Sequence, residues 1–379
     1  TALGGSLTSV LYVLDEPSIG LHPRDNERLI AILRQLRDQG NTVLVVEHDA
    51  DTIGVGDMVV DLGLGAGEQG GRIIHAGSFE TLLEEPQSLT AKYLRGDLQI
   101  PLPASRRKRA PLALCVTGAR QHNLKGIDVA IPLNTLTCVT GVSGSGKSTL
   151  VHDVIYAAIK RAKGAWDKPV GAHDHLEGSE LVTDVTLVDQ APIGRTPRSN
   201  PVTYLKAFDP IRELFSKTKG ARANGLRASH FSFNVPGGRC DGCDGEGVVR
   251  VEMQFLADLW LTCDECDGLR YKPEVLEVRH RGLSMADVLA LSVDEAAEYL
   301  MHHPKCVQIL GTLQRVGLGY LGLGQASTTL SGGEAQRMKL ASELARLNQT
   351  NCVSIPSLVV LDEPTTGLSA SDCVQLHAA

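Results

Sequence analysis

One stretch decides the fold of this chain: Gly141-Val142-Ser143-Gly144-Ser145-Gly146-Lys147-Ser148. It follows an apolar run, Leu136 to Thr140, which predicts a strand, and it is expected to open a helix. Glycines let backbone N–H groups converge on phosphates, while Lys147 supplies a charge and Ser148 a Mg²⁺ ligand. The predicted nucleotide-binding residues of this loop are Gly141, Ser143, Gly144, Ser145, Gly146, Lys147, Ser148 and Thr149.

An internal repeat lies on either side of this loop. The segment from Leu11 to Leu21, LYVLDEPSIGL, returns from Leu358 to Leu368 as LVVLDEPTTGL. Each copy is an apolar run that ends in Asp-Glu, which is typical of a buried parallel strand delivering two carboxylates at a sheet edge. Two ATPase lobes are therefore expected, in which the Asp holds Mg²⁺ and the Glu orients the attacking water: Asp15, Glu16, Asp362 and Glu363.

The first copy is followed by apolar spacing that predicts a helix, a turn at Gly40-Asn41 and a strand from Thr42 to Val46. That strand leads to His48. Its place resembles the position at which ABC-type ATPases have a catalytic His that contacts the γ-phosphate, although a lone His at a strand end is more often structural. A second predicted strand, Val185 to Asp189, leads to Gln190. Its position resembles that of the Gln which contacts Mg²⁺ and the attacking water in ABC-type ATPases, so the same role is expected here.

The segment Leu330-Ser331-Gly332-Gly333-Glu334 has the pattern of a capped helix start, with Ser331 as N-cap and Glu334 three residues later. A helix from Ala335 to Arg346 is predicted. Any capped helix would show the cap, but two glycines in the first turn also expose N–H donors to an anion. The predicted nucleotide contacts are Ser331, Gly332, Gly333 and Gln336, and the run is typical of the signature of ABC-type ATPases.

Two cysteine pairs, Cys240/Cys243 and Cys263/Cys266, are separated by nineteen residues. Two Cys-x2-Cys knuckles favour one tetrahedral structural Zn²⁺ site, with an unmetallated or disulfide-linked arrangement as the alternative. The residues between them are expected to form a projecting hairpin. The spacing of the other five cysteines does not suggest disulfide pairs, and free cysteines favour a reducing, cytoplasmic location.

The chain has a net charge of −7, so contact with nucleic acid would have to be local. Between Ala191 and Cys240 there are nine Lys and Arg residues against two acidic residues, although such a run can also be a solvated face. No apolar run approaches the ~20 residues of a membrane helix. The arginines predicted to contact DNA are Arg195, Arg198, Arg222, Arg227, Arg239 and Arg250.

Taken together, these motifs resemble the UvrA family, the damage-recognition ATPases of the bacterial excinuclease ABC. Besides the two Asp-Glu copies, the phosphate loop and the signature, the resemblance rests on Pro192 to Pro201, PIGRTPRSNP, and on Phe231 to Asn234 before the first cysteine pair. It implies binding of ATP, Mg²⁺ and Zn²⁺, recognition of damaged double-stranded DNA, a homodimer, and handover of DNA to the partner UvrB, with no membrane involved.

The predicted fold is α/β, with ABC-type (P-loop NTPase) ATPase lobes in tandem and a helical, zinc-binding insertion in the second lobe. The expected divisions are the end of the first lobe (1–96), a linker (97–111), the start of the second lobe (112–190), an inserted domain (191–325, with a zinc module near 231–275) and the signature and second Asp-Glu segment (326–379). The resemblance implies a longer protein, so this chain alone is expected to be a poor ATPase without the UvrB docking segment.

Three other functions share parts of this pattern. A transporter-type ABC ATPase would join the phosphate loop to the signature through a short helical subdomain, whereas this chain has room for a basic, cysteine-bearing insertion. A zinc-knuckle chaperone would share the Cys240–Gly247 pattern but not the phosphate loop. A UvrA-like paralogue serving drug resistance stays open.

Overall fold

The computed structural model describes residues 8–65, 67, 70–108, 111–166, 168–194, 196–253, 258–349 and 357–378. The chain divides into two compact units. Unit 1 comprises Thr1–Gly65, Gln69–Asp189 and Cys352–Val374, and unit 2 comprises Ala66–Glu68, Gln190–Asn351 and Gln375–Ala379. Unit 1 thus contains the phosphate loop and both Asp-Glu copies, and unit 2 contains the cysteine pairs and the signature.

Strands and helices are numbered in chain order. The strands of unit 1 are β1 (Leu11–Asp15), β2 (Thr42–Val46), β3 (Val59–Gly63), β4 (Arg72–Gly77), β5 (Ala113–Ala119), β6 (Ile127–Pro132), β7 (His175–Glu177), β8 (Asp184–Val188) and β11 (Ser357–Leu361). β1 pairs with β2 and β8 with β11 in parallel, whereas β3–β4 and β6–β5–β7 are antiparallel. Within each parallel pair, the two strands therefore end at the same edge, and the carboxyl ends of parallel strands are where α/β sheets bind ligands.

The helices of unit 1 are α1 (Pro23–Asp38), α2 (Ala50–Gly54), α3 (Phe79–Glu84), α4 (Leu89–Leu94), a π-helical stretch (Thr149–Tyr156) that continues as α5 (Ala157–Ala162), and the start of α14 (Ala370–Ala378). α1 is the helix predicted after the first Asp-Glu copy. It begins where His22 accepts a hydrogen bond from the Arg24 N–H at 3.2 Å and Pro23 presets the first turn. It buries Leu33 and Leu36, as the apolar spacing predicts.

The core of unit 1 fixes the helix that follows the phosphate loop. In β5, Leu114 and Val116 are each 1% exposed, and they alternate with less buried positions as a strand with one covered face should. Val154 and Ile159 of the following helix pack into the same cluster. Each such side chain contributes about 1.5–3 kcal/mol on burial, so the helix direction is set by this contact.

The predicted strand before the phosphate loop is wrong for the part of the chain that the structure describes. Residues 136–140 have no regular strand structure, and Leu136 is 88% exposed. Apolar, β-branched residues form a strand only where a neighbouring strand supplies hydrogen bonds, and no described strand pairs here. The second predicted strand is confirmed with a shift of one residue, as β8, Asp184–Val188.

The elements of unit 2 are α6 (Pro201–Tyr204), α7 (Phe208–Ser216), α8 (Lys219–Ala223), β9 (Val248–Val251), β10 (Leu259–Thr262), α9 (Pro273–Leu276), α10 (Met285–Ala290), α11 (Val293–Tyr299), α12 (Pro304–Arg315) and α13 (Gly332–Gln349). The chain is poor in aromatic residues, yet Phe208, Phe215, Phe231, Phe233 and Tyr271 share one core here. The buried Tyr271 hydroxyl donates to the Phe231 carbonyl at 2.9 Å, as a buried phenol requires.

β9 and β10 form the antiparallel hairpin predicted between the cysteine pairs, with Val248 opposite Thr262 and Val251 opposite Leu259. Both faces of the hairpin are open, since Val249 on one face is 40% exposed and Trp260 on the other is 46% exposed. Among the described helices of the whole chain, none combines the length and apolar character required to cross a bilayer.

Candidate functional site

The phosphate loop has a backbone that only glycine accommodates easily. Gly141, Gly144 and Gly146 have φ values of 152°, 75° and 101°. A Cβ on Gly141 would lie 2.7 Å from the Ser145 hydroxyl oxygen, and a Cβ on Gly146 would lie 2.8 Å from an Asn123 side-chain oxygen. Glycine is therefore required at Gly141 and Gly146, and the absence of side chains there lets the backbone of the loop approach phosphates closely.

Lys147 is held inside the loop. Its ammonium donates to the carbonyls of Gly141 at 2.9 Å and Val142 at 3.2 Å. The side chain is thus already directed into the curve of the loop rather than away from it. A polyphosphate in this curve would meet the ammonium and the N–H groups at the start of the following helix.

His152 joins that helix to the second Asp-Glu copy. Its Nε2 lies 3.3 Å from an Asp362 carboxylate oxygen. Asp362 itself follows β11, where its N–H donates to the Val188 carbonyl at 3.1 Å. The sequence analysis missed His152, because only the folded chain brings positions so far apart in sequence together.

Glu16 and Glu363, the two predicted catalytic carboxylates, have the same unusual backbone. Their φ values are 42° and 46°, in the left-handed region that residues with a side chain seldom occupy. Such conformations cost about 1–3 kcal/mol and concentrate at functional sites. The repeat seen in the sequence is therefore also a repeat of backbone geometry.

Each of these carboxylates lies against a glycine of the other copy. A Cβ on Gly20 would lie 3.2 Å from a Glu363 oxygen, and a Cβ on Gly367 would lie 2.9 Å from a Glu16 oxygen. Both glycines have positive φ, 69° and 66°. The two copies thus meet reciprocally inside unit 1, and each glycine leaves room for the carboxylate of the other copy.

The histidine predicted to contact the γ-phosphate lies beside Glu16. His48 Nε2 is 3.7 Å from a Glu16 oxygen, and the His48 side chain is 43% exposed. The neighbouring Glu47, which the sequence analysis did not select, accepts from the backbone N–H groups of Ser18 at 2.8 Å and His48 at 3.1 Å. Glu47 therefore fixes the segment after Glu16 to the end of β2.

We expect Gly367→Ala to destabilise the chain by more than Gly40→Ala, a substitution with comparable backbone strain. Gly40 has a φ of 87° and nothing within 4 Å of its Cβ position, so it reports the cost of left-handed backbone alone, about 1–2 kcal/mol. At Gly367 the new methyl group must also displace Glu16. Urea unfolding measures both variants, and Glu16→Asp should recover part of the extra loss. A double variant whose losses simply add would contradict this contact.

The signature in unit 2 has the predicted capping box. The Glu334 N–H donates to the Ser331 hydroxyl at 3.2 Å, and the Ser331 N–H donates to the Glu334 carboxylate at 2.8 Å. The helix is longer than predicted, since α13 already includes Gly332 and Gly333 and ends at Gln349. Gln336, predicted to contact nucleotide, is only 3% exposed, and the Gln190 side-chain oxygen lies 3.3 Å from the Cβ position of Gly332.

The four predicted zinc ligands converge. The sulfur atoms of Cys240, Cys243, Cys263 and Cys266 all lie within 4.8 Å of one another, and all four residues are buried. The sulfur atoms of Cys240 and Cys263 are 3.9 Å apart, and those of Cys243 and Cys266 are 3.6 Å apart. A tetrahedral Zn²⁺ with bonds of about 2.3 Å requires sulfur separations of roughly 3.8 Å, so the set fits the ion.

Burial disfavours the thiolate form of Cys266 in the absence of a cation. It raises the pKa of the Cys266 thiol to about 12, since the thiolate loses its hydration. The Gly247 N–H approaches the Cys243 sulfur at 3.2 Å, as backbone donors do around metal-bound thiolates. Metal binding is the chemistry that these four sulfur atoms support.

The arginines predicted to contact DNA divide into two groups, apart from Arg195, which lies outside the described residues. Arg198, Arg239 and Arg250 form ion pairs with Glu246, Asp244 and Asp258. Arg222 and Arg227 are exposed, and neither forms an ion pair with another described residue. The second group is therefore the better placed to meet phosphates.

No protein-family model matches the chain. It is 53% identical over 377 residues to UvrABC system protein A of Streptomyces avermitilis, covering 99% of this chain and 37% of that protein. It is also 53% identical over 376 residues to UvrABC system protein A of Thermus thermophilus, covering 39% of that protein. The fold matches the crystal structure of UvrA2 from Deinococcus radiodurans with a TM-score of 0.91 and 46% identity, over 99% of this chain and 44% of that one.

These similarities confirm the resemblance to the UvrA family and the α/β, ABC-type fold class predicted from the motifs. The chain spans about two fifths of the length of these relatives. The predicted domain boundaries and the roles of individual site residues stay predictions.

Proposed function

We propose that this chain, whose sequence and fold are those of the UvrA family along the segment it spans, serves ATP-dependent recognition of damaged DNA as part of the damage-sensing ATPase of the excinuclease. The observation that carries the proposal is the reciprocal contact of two Asp-Glu segments, Glu16 with Gly367 and Glu363 with Gly20, in a chain that also holds a four-cysteine cluster. A transporter-type ABC ATPase joins its phosphate loop to its signature through a short helical subdomain, whereas this chain carries a four-cysteine insertion between the two.

In the proposed site, the loop from Gly141 to Thr149 holds the phosphates of ATP. Ser148 and Asp362 supply oxygen ligands suited to Mg²⁺, which neutralises charge on the phosphates when bound. Glu363 orients the attacking water, and His152 lies beside Asp362. Ser331, Gly332 and Gly333 are proposed to present helix N–H donors to the nucleotide of the other half-site, that of the first lobe, as the family resemblance implies.

Asp15, Glu16 and His48 are proposed to serve the corresponding half-site of the first lobe. His48 lies beside Glu16, as a γ-phosphate contact next to the water-orienting carboxylate should. Hydrolysis at such sites depends on positioning rather than covalent chemistry, so the backbone strain at both glutamates is consistent with a catalytic role. The proposed partners are damaged double-stranded DNA, UvrB and a second copy of the protein, in the cytoplasm.

DNA binding by this chain should weaken steeply with salt. Each phosphate neutralised contributes about −0.9 to the slope of log affinity against log salt concentration. Changing Arg222 and Arg227 together to Ala should make the slope shallower by about 1.8, because both arginines are exposed and without an ion pair among the described residues. Fluorescence anisotropy with a duplex of defined sequence measures this slope.

Two control experiments show whether the change in slope is specific to these two arginines and whether binding depends on damage. Changing Arg28 and Arg34 of α1 to Ala removes the same charge elsewhere and should leave the slope unchanged. A duplex that carries a bulky lesion should bind more tightly than the same undamaged duplex, because shape and deformability are read without base contacts. Equal slopes in all variants would move the DNA site away from the 191–240 stretch.

A further inference from the structure

The loop that leads into the signature, Gly324–Leu330, is held from two directions inside unit 2. The Gly324 N–H also donates to the Leu289 carbonyl at 2.8 Å, and two further contacts can each be followed back to a different cysteine pair. We call this segment the pre-signature loop. Its last residue is followed directly by Ser331, the cap of α13.

The first contact comes from the Cys263/Cys266 pair. Arg270, four residues after Cys266, donates from its guanidinium to the Gly324 carbonyl at 3.0 Å. The guanidinium also lies over the Phe233 ring, 5.3 Å from the ring centre. The carbonyl of Arg270 accepts from the Cys240 N–H at 2.9 Å, which ties this residue to the cysteine cluster. The cation is thus placed between the cysteine cluster and the loop.

The second contact comes from the Cys240/Cys243 pair. Glu246 is fixed by its N–H to the Cys243 carbonyl at 2.9 Å, and its carboxylate pairs with Arg198 at 3.3 Å. The residue after Arg198 is Ser199, and its backbone carbonyl accepts a hydrogen bond from the Ser327 N–H at 2.7 Å. The hydroxyl groups of Ser327 and Ser199 are also hydrogen-bonded, at 3.1 Å.

These two contacts hold positions 324 and 327, and the rest of the loop is a tight turn. The Thr329 N–H donates to the Ala326 carbonyl at 3.0 Å, and the Gln325 amide donates to the Thr329 hydroxyl at 3.3 Å. A shift of the loop at either contact would therefore move Ser331 and the N–H donors of Gly332. The length of chain between the contacts and the signature is too short to absorb a displacement.

We propose that the cysteine cluster, through Arg270 on one side and the Glu246–Arg198 pair on the other, sets the position of the signature of this lobe. Arg270 is a positioning residue in this arrangement. The inference rests on the proposed function in one respect, since it takes the cluster to be a zinc site. Its consequence is that a ligand which moves the zinc module, such as bound DNA, changes how the signature is presented to a nucleotide.

Hydrogen exchange of the intact 379-residue chain, followed by mass spectrometry, tests this proposal, with zinc content measured on each sample. Removing zinc from the wild type with a chelator should speed exchange of the 324–334 amides about tenfold or more. Arg270→Leu should speed the same amides by a similar factor while it keeps its zinc, because a hydrogen bond from a charged group is lost. Arg279→Leu, which breaks the exposed Arg279–Asp287 pair, should leave these amides unchanged.

Glu246→Gln provides an independent variant in case Arg270→Leu fails to fold. It weakens the second contact alone and should also speed exchange of the 324–334 amides. Unchanged exchange in either variant with full zinc occupancy, or unchanged exchange in zinc-depleted wild type, would overturn the proposal. A wild type that holds no metal would instead contradict the zinc assignment, and the Arg270 and Glu246 variants would still decide whether the contacts hold the loop.

Discussion

Cys263→Ser should lose the bound zinc ion and with it the folded structure of the hairpin β9–β10. Four thiolates at the observed sulfur separations form a closed structural site, and such sites contribute about 10–16 kcal/mol of binding free energy to folding. Burial of apolar side chains contributes little to the stability of the hairpin, because Val249, Trp260 and Leu261 are all at least 40% exposed. An isolated two-stranded hairpin is marginal in water.

Metal analysis of protein purified without added zinc should give about one equivalent for the wild type and close to none for Cys263→Ser. The matched control is Cys306→Ser, which changes another buried cysteine of unit 2 that lies outside the cluster. This control should lose some stability and keep its zinc. Zinc should also dissociate as the pH falls, since protons compete for the thiolates. Full zinc occupancy in Cys263→Ser would refute the assignment.

Sequence reasoning succeeded where the signal is local or repeated. Cys-x2-Cys spacing predicted four sulfur atoms that do converge, and the Ser331/Glu334 pair predicted a capping box that does form. β2 begins and ends where it was predicted, because its apolar run is bounded by a turn and by Glu47-His48. In each case the residues that determine the geometry are neighbours in the sequence.

Sequence reasoning failed where geometry depends on distant partners. Leu136 to Thr140 has the composition of a strand, but its ladder partner cannot be read from its own residues. Arg198 and Arg239 were predicted to contact DNA, which stays a prediction, but their ion pairs with Glu246 and Asp244 of the first cysteine knuckle could not be read from the basic stretch itself. A count of charges does not show which of them are already neutralised by a neighbour.

Lys147→Ala should weaken binding of Mg²⁺–ATP about 10- to 100-fold. The carbonyls of Gly141 and Val142 already direct the ammonium into the phosphate loop. The side chain therefore loses little conformational entropy when it contacts a phosphate. Loss of a charge-assisted hydrogen bond costs about 1.5–3 kcal/mol, which corresponds to this range of dissociation constants. Titration with a fluorescent ATP analogue measures the change. Lys163→Ala, at the exposed end of α5, is the matched control and should bind as the wild type does.

Binding and turnover should separate in this chain. The sequence contains one phosphate loop and one signature segment, and the family resemblance implies that a site is completed by the signature of the other lobe. Each missing donor to the transferring phosphoryl group costs about 10²–10³ in rate, so the chain should bind ATP and hydrolyse it far more slowly than about 1 s⁻¹. Steady-state phosphate release, compared between the wild type and Lys147→Ala, measures this. Turnover near 1 s⁻¹ that requires Lys147 would mean that the half-sites are completed in another way, and its dependence on protein concentration would show whether a second copy completes them.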